Sequence, residues 1–397
     1  MNETALAGTT VLELGEGIAV AYCGKLLAQF GARVVKLEPP AGDATRRAGP
    51  FASGIPRTDA SGLFLYLNTS KQSVTLDLDT GDGRALLRCM LPRADIVIEA
   101  LPPGRLDALG LGYEQVRALA PRVVMVSVTA FGQDGPYRSY VATDIVSHSV
   151  GGWLYPGGQP LREPLKPGGK LAEYTTGLVA AVGTMTALVH RNERGVGQHV
   201  DVSSMEALLS TLPLPTLRFS MTGAEWQRSG HRYPFTIMAC KDGYIGLNIL
   251  TQRQWVAMCQ FMGFADWLED ARFASGPLRA QPEVAAEIVA RVSAWLSDHT
   301  QAEIMAGQRD RIPFAQLLTT AELPDAAQYL DRDYFVTVDQ PGVGPTRQPG
   351  LPFKLSEASP AAVTPAPTLG QHNPEVFEEL AGCNRDALVA LSRSGTI

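Results

Sequence analysis

From Thr9 to Phe131 the chain repeats one pattern, a short run of β-branched and other apolar residues followed by a stretch with the composition of a helix. The runs are TTVLEL (Thr9–Leu14), ARVVKLE (Ala32–Glu38), SVTLDL (Ser73–Leu78), ADIVIEA (Ala94–Ala100) and PRVVMVSVTAF (Pro121–Phe131). Helix-like stretches fall between them, near Val20–Phe30 and Asp82–Leu91. A strand with one wet face alternates apolar and polar residues, whereas near-continuous Val/Ile runs belong to strands covered on both faces. Joined by helices, such strands make a parallel sheet with right-handed crossovers. The expected fold class is therefore α/β, a Rossmann-like large domain with a parallel sheet.

A chain of 397 residues exceeds what one ordinary core serves. The middle changes character: DGYIGLNI reads as a strand, and amphipathic stretches at Gln252–Met262, Pro282–Asp298 and Gln301–Arg309 read as helices. The predicted domains are 1–225, the N-terminal part of the large domain; 226–336, a smaller α+β domain; and 337–397, a linker and return to the large domain. Within the last, the Pro/Gly-rich stretch Asp339–Pro367 is long for a loop and is predicted to wrap another surface. Gly132–Lys170 reads as loop, with a helix from Tyr174 to Arg191.

Several function classes are disfavoured. A net charge of −6 without a basic run argues against nucleic acid. Five scattered cysteines and six scattered histidines show neither disulfide nor metal-ligand spacing. The start lacks signal-peptide order, and the longest apolar stretch, Gly177–Val189, is shorter than the ~20 residues that span a bilayer. A soluble, cytoplasmic protein with no membrane partner is expected. No G-x-S-x-G elbow occurs. Gly15–Gly17 (GEG) and Glu38 have the placement of a dinucleotide fingerprint, but Val20 stands at the third glycine position, so NAD is not expected.

The segment Gly168–Val202 places Glu173 just ahead of a predicted helix rich in small residues. The helix dipole favours negative charge there, and a carboxylate beside small residues suits attack on a thioester carbonyl. Acidic residues are equally favoured at helix starts for stability alone, so this feature leaves both readings open.

VLELGEGIAVAYCGKLLAQFGARVVKLEPPAGDATR, LNTSKQSVTLDL, IEALPPGRLDALGLGYEQVRALAPRVVMVSVTAFGQDGPY, HRNERGVGQHVDVS and PAPTLGQHNPEVFEEL follow one another in the order of a known family. Over nearly its whole length the chain resembles the class III CoA-transferase (CaiB/BaiF) family. The resemblance implies a family-type interlocked dimer and coenzyme A as acyl carrier, with no metal. Its partners would be an acyl-CoA donor and a carboxylic acid acceptor. An aspartate before the T-G helix would form a mixed anhydride with the acyl group; that position here is Glu173. Family positions for CoA fall at Glu38, Pro39, Asn68, Lys71, Ala100, Leu101 and Leu109, with Arg105 nearby for phosphate. Glutamate in the aspartate position leaves two further readings open. One is a non-catalytic CoA-binding subunit paired with a sister chain, so that homodimer and heteromer both remain. The other is an acyl-CoA racemase, whose histidine position is Thr143, with His148 five residues on. Trp153, Tyr155 and Tyr233–Phe235 are expected to line an acceptor pocket for a medium or bulky apolar group.

Overall fold

A computed structural model describes residues 4–228, 235–307 and 312–397. The chain divides into two compact units. The first comprises Met1–Pro156, Leu165–Trp226 and Asp331–Ile397; the second comprises Gly157–Pro164 and Gln227–Leu330. Sequence reading assigns Gly157–Pro164 to the first.

The first unit is built on six parallel strands, β1 (Thr10–Leu14), β2 (Arg33–Glu38), β3 (Lys71–Thr75), β4 (Ile96–Glu99), β5 (Val124–Thr129) and β6 (His199–Ser203). Their order is β3-β2-β1-β4-β5-β6. The order reverses between β1 and β4, and in such sheets a crevice opens there, beyond the carboxyl ends of the strands. Alternate residues of each strand feed opposite cores. Leu12, Leu14, Val35, Leu37, Val74 and Val97 pack with Leu86 and Leu87 of the Gly81–Met90 helix and with Val376 and Phe377 of the Asn373–Ala381 helix. Val11, Val34, Ile96, Ile98, Val124 and Val126 pack instead with the helices Ile18–Gln29 and Leu171–Arg194, through residues such as Val20, Leu27, Ala180 and Leu188. Two covered faces are why the strands carry such long apolar runs.

Part of the expected Pro/Gly linker is not a linker. Phe335–Gln340 (β10) and Gly344–Pro349 (β11) form an antiparallel hairpin, pairing Phe335 with Pro349 and Gln340 with Gly344. Its Pro and Gly residues mark a turn, with Gly342 and Gly344 at positive φ. Beyond the hairpin, residues 350–372 carry no helix or strand.

The second unit contains an antiparallel sheet of β7 (Phe235–Cys240), β8 (Gly243–Asn248) and β9 (Phe314–Gln316). Its helices Gln252–Met262 and Pro282–Asp298 match the sequence expectation. Stacked Trp255, Trp267 and Phe273 fill its core. The expected helix end at Arg309 lies outside the described residues. Among the described residues no helix is long and apolar enough to cross a membrane.

The first unit also encloses charge. Glu13 on β1 takes Lys36 Nζ of β2 at 3.0 Å and Lys71 Nζ of β3 at 2.8 Å, all with fully buried side chains. Lys36 also meets Asp43 at 2.7 Å. Glu38 accepts Arg46 Nε and Nη2, both at 2.7 Å, and Ser73 Oγ at 2.6 Å. Burial opposes charge on Glu38, but the Arg46 hydrogen bonds and charge, with Lys36 and Ser73, prevail and hold it below the usual carboxylate range. A carboxyl with a depressed folded pKa adds stability above its unfolded pKa, and that stability is lost as pH falls through the folded value. Arg46→Met should cost about 3–5 kcal/mol at pH 7, since it strands a buried charge. Protonation of Glu38 then relieves the penalty, so the deficit against wild type should shrink towards pH 4.5. Urea midpoints at both pH values measure this; a pH-independent deficit would mean that charge is not its cause.

Candidate active site

At the switch point β1 and β4 leave the sheet in contact. Gly15 holds φ near 92°, and a Cβ there would lie 2.9 Å from the Ala100 backbone nitrogen. The GEG glycine thus allows two chain exits to touch, with Ala100 N–H donating to Leu14 O at 3.1 Å.

Two adjoining cavities open around these exits. The larger, about 570 Å³, is lined by Glu16–Val20, Ala100–Pro103, the ends of β5 and the loop after it (Val128–Ala130, Arg138–Asp144), with Ser147, Glu173, Thr176 and Ser204. The smaller, about 240 Å³, is lined by Leu14–Glu16, Leu37, Pro39, Leu76–Asp79, Leu101, Arg105 and Leu109. Glu16 and Leu101 border both.

Glu173 is not ahead of its helix but inside the first turn, because the helix starts at Leu171. The reason lies elsewhere in the chain. Lys170 at the N-cap supplies no side-chain cap, and the buried Asp144 does so from 28 residues away, its Oδ1 accepting Ala172 N–H at 3.2 Å. Asp144 Oδ2 accepts from Lys166 Nζ at 2.6 Å, and Lys166 donates further to the carbonyls of Pro167 and Gly169 at 2.7 and 2.8 Å. This clamp fixes the approach to the helix. On the far side Gly177 permits a close helix crossing, since a Cβ would sit 2.7 Å from Ala19 O. Tyr174 meets Tyr22 edge-on at 5.0 Å, and Thr176 Oγ1 pairs with Ser204 Oγ at 2.6 Å. The Glu173 side chain keeps 30% of its exposure, with Lys170 Nζ at 3.6 Å.

Of the residues singled out from sequence, Glu173, Ala100 and Leu101 line the larger cavity, and Pro39, Leu101, Arg105 and Leu109 line the smaller. Arg105 pairs with Asp79 at that rim. Glu38, Asn68 and Lys71 line neither. Lys71 donates to Glu13, to Ala21 O at 2.8 Å and to Asn68 Oδ1 at 2.9 Å, while Asn68 Nδ2 donates to Phe64 O. Their polar atoms are engaged inside the unit. Thr143 lines the larger cavity, whereas His148 is fully buried behind it with Nδ1 2.8 Å from Asp144 O. Trp153 is absent from the lining; its Nε1 donates to Leu208 O at 3.0 Å. Tyr155 also lies off the lining, and its hydroxyl donates to Glu225 Oε2 at 3.2 Å. Tyr233 is outside the described residues. Asp144, Lys166, Arg138, Thr176 and Ser204 were not foreseen, for no local spacing joins them. Among the described residues no group of three or more His, Cys, Asp or Glu is placed to hold a metal ion.

The chain is 33% identical to a succinyl-CoA–D-citramalate CoA-transferase of Chloroflexus aurantiacus, over 98% of this chain and 96% of that protein. It is 31% identical to the beta subunit of a succinyl-CoA–L-malate CoA-transferase of the same organism, over 95% and 94%. A crystal structure of a CaiB/BaiF family protein from Brucella suis superposes with a TM-score of 0.85 at 29% identity, covering 95% of this chain and all of that one. The model of CoA-transferase family III matches residues 6–373. Similarity that runs almost end to end in sequence and in fold makes this chain a member of CoA-transferase family III.

Proposed function

We propose that the chain transfers CoA from an acyl-CoA donor to a free carboxylic acid, with the Glu173 carboxylate as nucleophile. The observation that carries this reading is the placement of that carboxylate, on the first turn of a clamped helix, in a cavity that adjoins a second one along the strand ends. Glu173 attacks the thioester carbonyl, the C–S bond breaks, and CoA thiolate leaves behind an acyl–glutamyl anhydride. The thiolate then attacks the glutamyl carbonyl, releasing the donor acid and forming a glutamyl-CoA thioester. The acceptor carboxylate displaces the thiolate, and the thiolate takes the acceptor acyl group and frees Glu173. Carboxylate and thiolate exchange make and break every bond, so the sequence calls for neither metal nor NAD.

Oxyanions formed at each carbonyl face the start of the Ile18–Gln29 helix, which lines the cavity and lacks a side-chain cap. First-turn N–H groups without intrahelical partners are suited to hold them. Coenzyme A runs through the smaller cavity along Pro39, Leu101 and Leu109, with Arg105 towards its phosphates and Ala100 at the junction. Glu38, Asn68 and Lys71 are the scaffold beneath it. Succinyl-CoA, citramalate and malate in the relatives' names make small carboxylic acids the first acceptors to test. An exposed apolar stripe, Leu178, Val182, Met185 and Val189, supports assembly with a second copy or a sister chain. The second reading, a CoA-binding subunit without its own chemistry, is favoured by one observation, the glutamate where the family's aspartate belongs.

Incubation with acyl-CoAs followed by hydroxylamine should leave a hydroxamate on Glu173, mapped by peptide mass spectrometry, and Glu173→Gln should leave none. CoA binding without any hydroxamate would favour the subunit reading. Glu173→Asp moves the carboxylate by about an ångström and should change turnover on the order of a hundredfold. Lys166→Met releases the clamp, and kcat should fall about tenfold or more with little change in the Kd for CoA. Equal losses in both would mean a general folding defect instead.

A further inference from the structure

Four charged residues line the larger cavity: Glu16, Asp144, Glu173 and Arg138. Asp144 is already neutralised by Lys166 at 2.6 Å. Glu16 is engaged through Oε1, which accepts Ala44 N–H at 2.9 Å. Arg138 differs from the others: among the described residues its guanidinium has neither an ion pair nor a side-chain hydrogen bond, and only its backbone N–H is engaged, with Gly135 O at 3.4 Å. Among the described residues it is the one basic residue in the lining.

The turn that carries it is built, not loose. Tyr137 and Tyr140 flank Arg138 and stack on one another at 5.1 Å, each edge-on to Phe131, at 6.0 and 6.2 Å. Tyr140 N–H closes the turn on Tyr137 O at 2.8 Å. At the base of the loop, Gly132 N–H donates to Thr129 Oγ1 and Gln133 N–H to Asp201 Oδ2, both at 2.9 Å. A cation on a fixed turn loses little backbone freedom when it binds, and the guanidinium fork matches a carboxylate in two parallel hydrogen bonds.

Any acid that enters meets the negative charges of Glu16 and Glu173. Its reacting carboxylate must approach Glu173. An acid with a second carboxylate brings one more negative charge into the same space, and Arg138 is the residue able to take it. We propose that Arg138 determines specificity by binding the remote carboxylate of a dicarboxylic acid, free or as its mono-CoA thioester, while the other end reacts at Glu173. The proposal rests on the reading of Glu173 as nucleophile, and deepens it by naming the substrate class.

Acceptor pairs of equal carbon number test it: succinate against butyrate, and glutarate against valerate. In Arg138→Gln the KM for each dicarboxylate should rise about ten- to a hundredfold while the monocarboxylates change little, and Arg138→Lys should restore part of the loss. Unchanged dicarboxylate values, or equal losses for both members of a pair, would overturn it. Calorimetry with succinate on Glu173→Gln and on Glu173→Gln/Arg138→Gln reads the same site without any chemistry. At least tenfold weaker binding in the double variant supports the proposal; equal binding, or none in either, sinks it. The hydroxamate on Glu173, formed from butyryl-CoA, reports separately on the nucleophile and should survive in Arg138→Gln.

Discussion

Glu13 lies on a central strand, shut off from water, and two lysines from the next two strands close on its two oxygens. A buried carboxylate held this way fixes more than energy. Lys36 stands directly opposite Glu13 across β1 and β2, and a slip of one residue would turn it to the other face of the sheet. Burial would lower the Lys36 ammonium, but Glu13, Asp43 and Glu38 outweigh it and raise it. Asp43 and Arg46 extend the network beyond the end of β2, so the chain leaving the sheet is tied to the sheet's own register. The mutual register of β1, β2 and β3 follows, and with it the edge of the smaller cavity that they frame.

The groups of the candidate site then arrive from distant stretches of chain. Gly15 lets the exits of β1 and β4 touch, Gly177 lets the Glu173 helix approach the start of the first helix, and Asp144 caps that helix from another element. None of the three contacts is local in sequence. Each is a tertiary solution to a local need: an exit turn, a helix crossing, an unsatisfied N–H group.

That division explains what was legible in the sequence. β1, β2, β4 and β5 announced themselves because both faces of the sheet are covered, and the stretch around Val20 and Ala28 because small residues pack between strand and helix. Glu173 was legible only through the family motif, since an acid near a helix start serves stability as readily as chemistry. Lys71, Asn68 and Glu38 were assigned to CoA through the family positions alone; Glu38 ends β2, whereas Asn68 and Lys71 stand at the start of β3. Their side chains turn inward instead, and periodicity does not reveal which buried partner awaits a charge. The hairpin at Phe335–Pro349 was hidden by its own Pro and Gly content. Asp144 and Lys166, 22 residues apart, have no spacing that foretells a clamp.

The allocation of cations completes the picture of a net-negative chain built to handle anions. Lys36, Lys71 and Arg46 are committed to carboxylates inside the first unit, where they set register. Lys166 is committed to Asp144, where it holds the helix that bears Glu173. Arg105 pairs with Asp79 at the rim of the smaller cavity, a partner exposed enough to exchange for a phosphate. Total charge therefore says little about ligands here. What matters is which cation each carboxylate has already claimed, and the side chain left over in the larger cavity among the described residues is Arg138, the cation to which the proposed dicarboxylate would bring the missing partner.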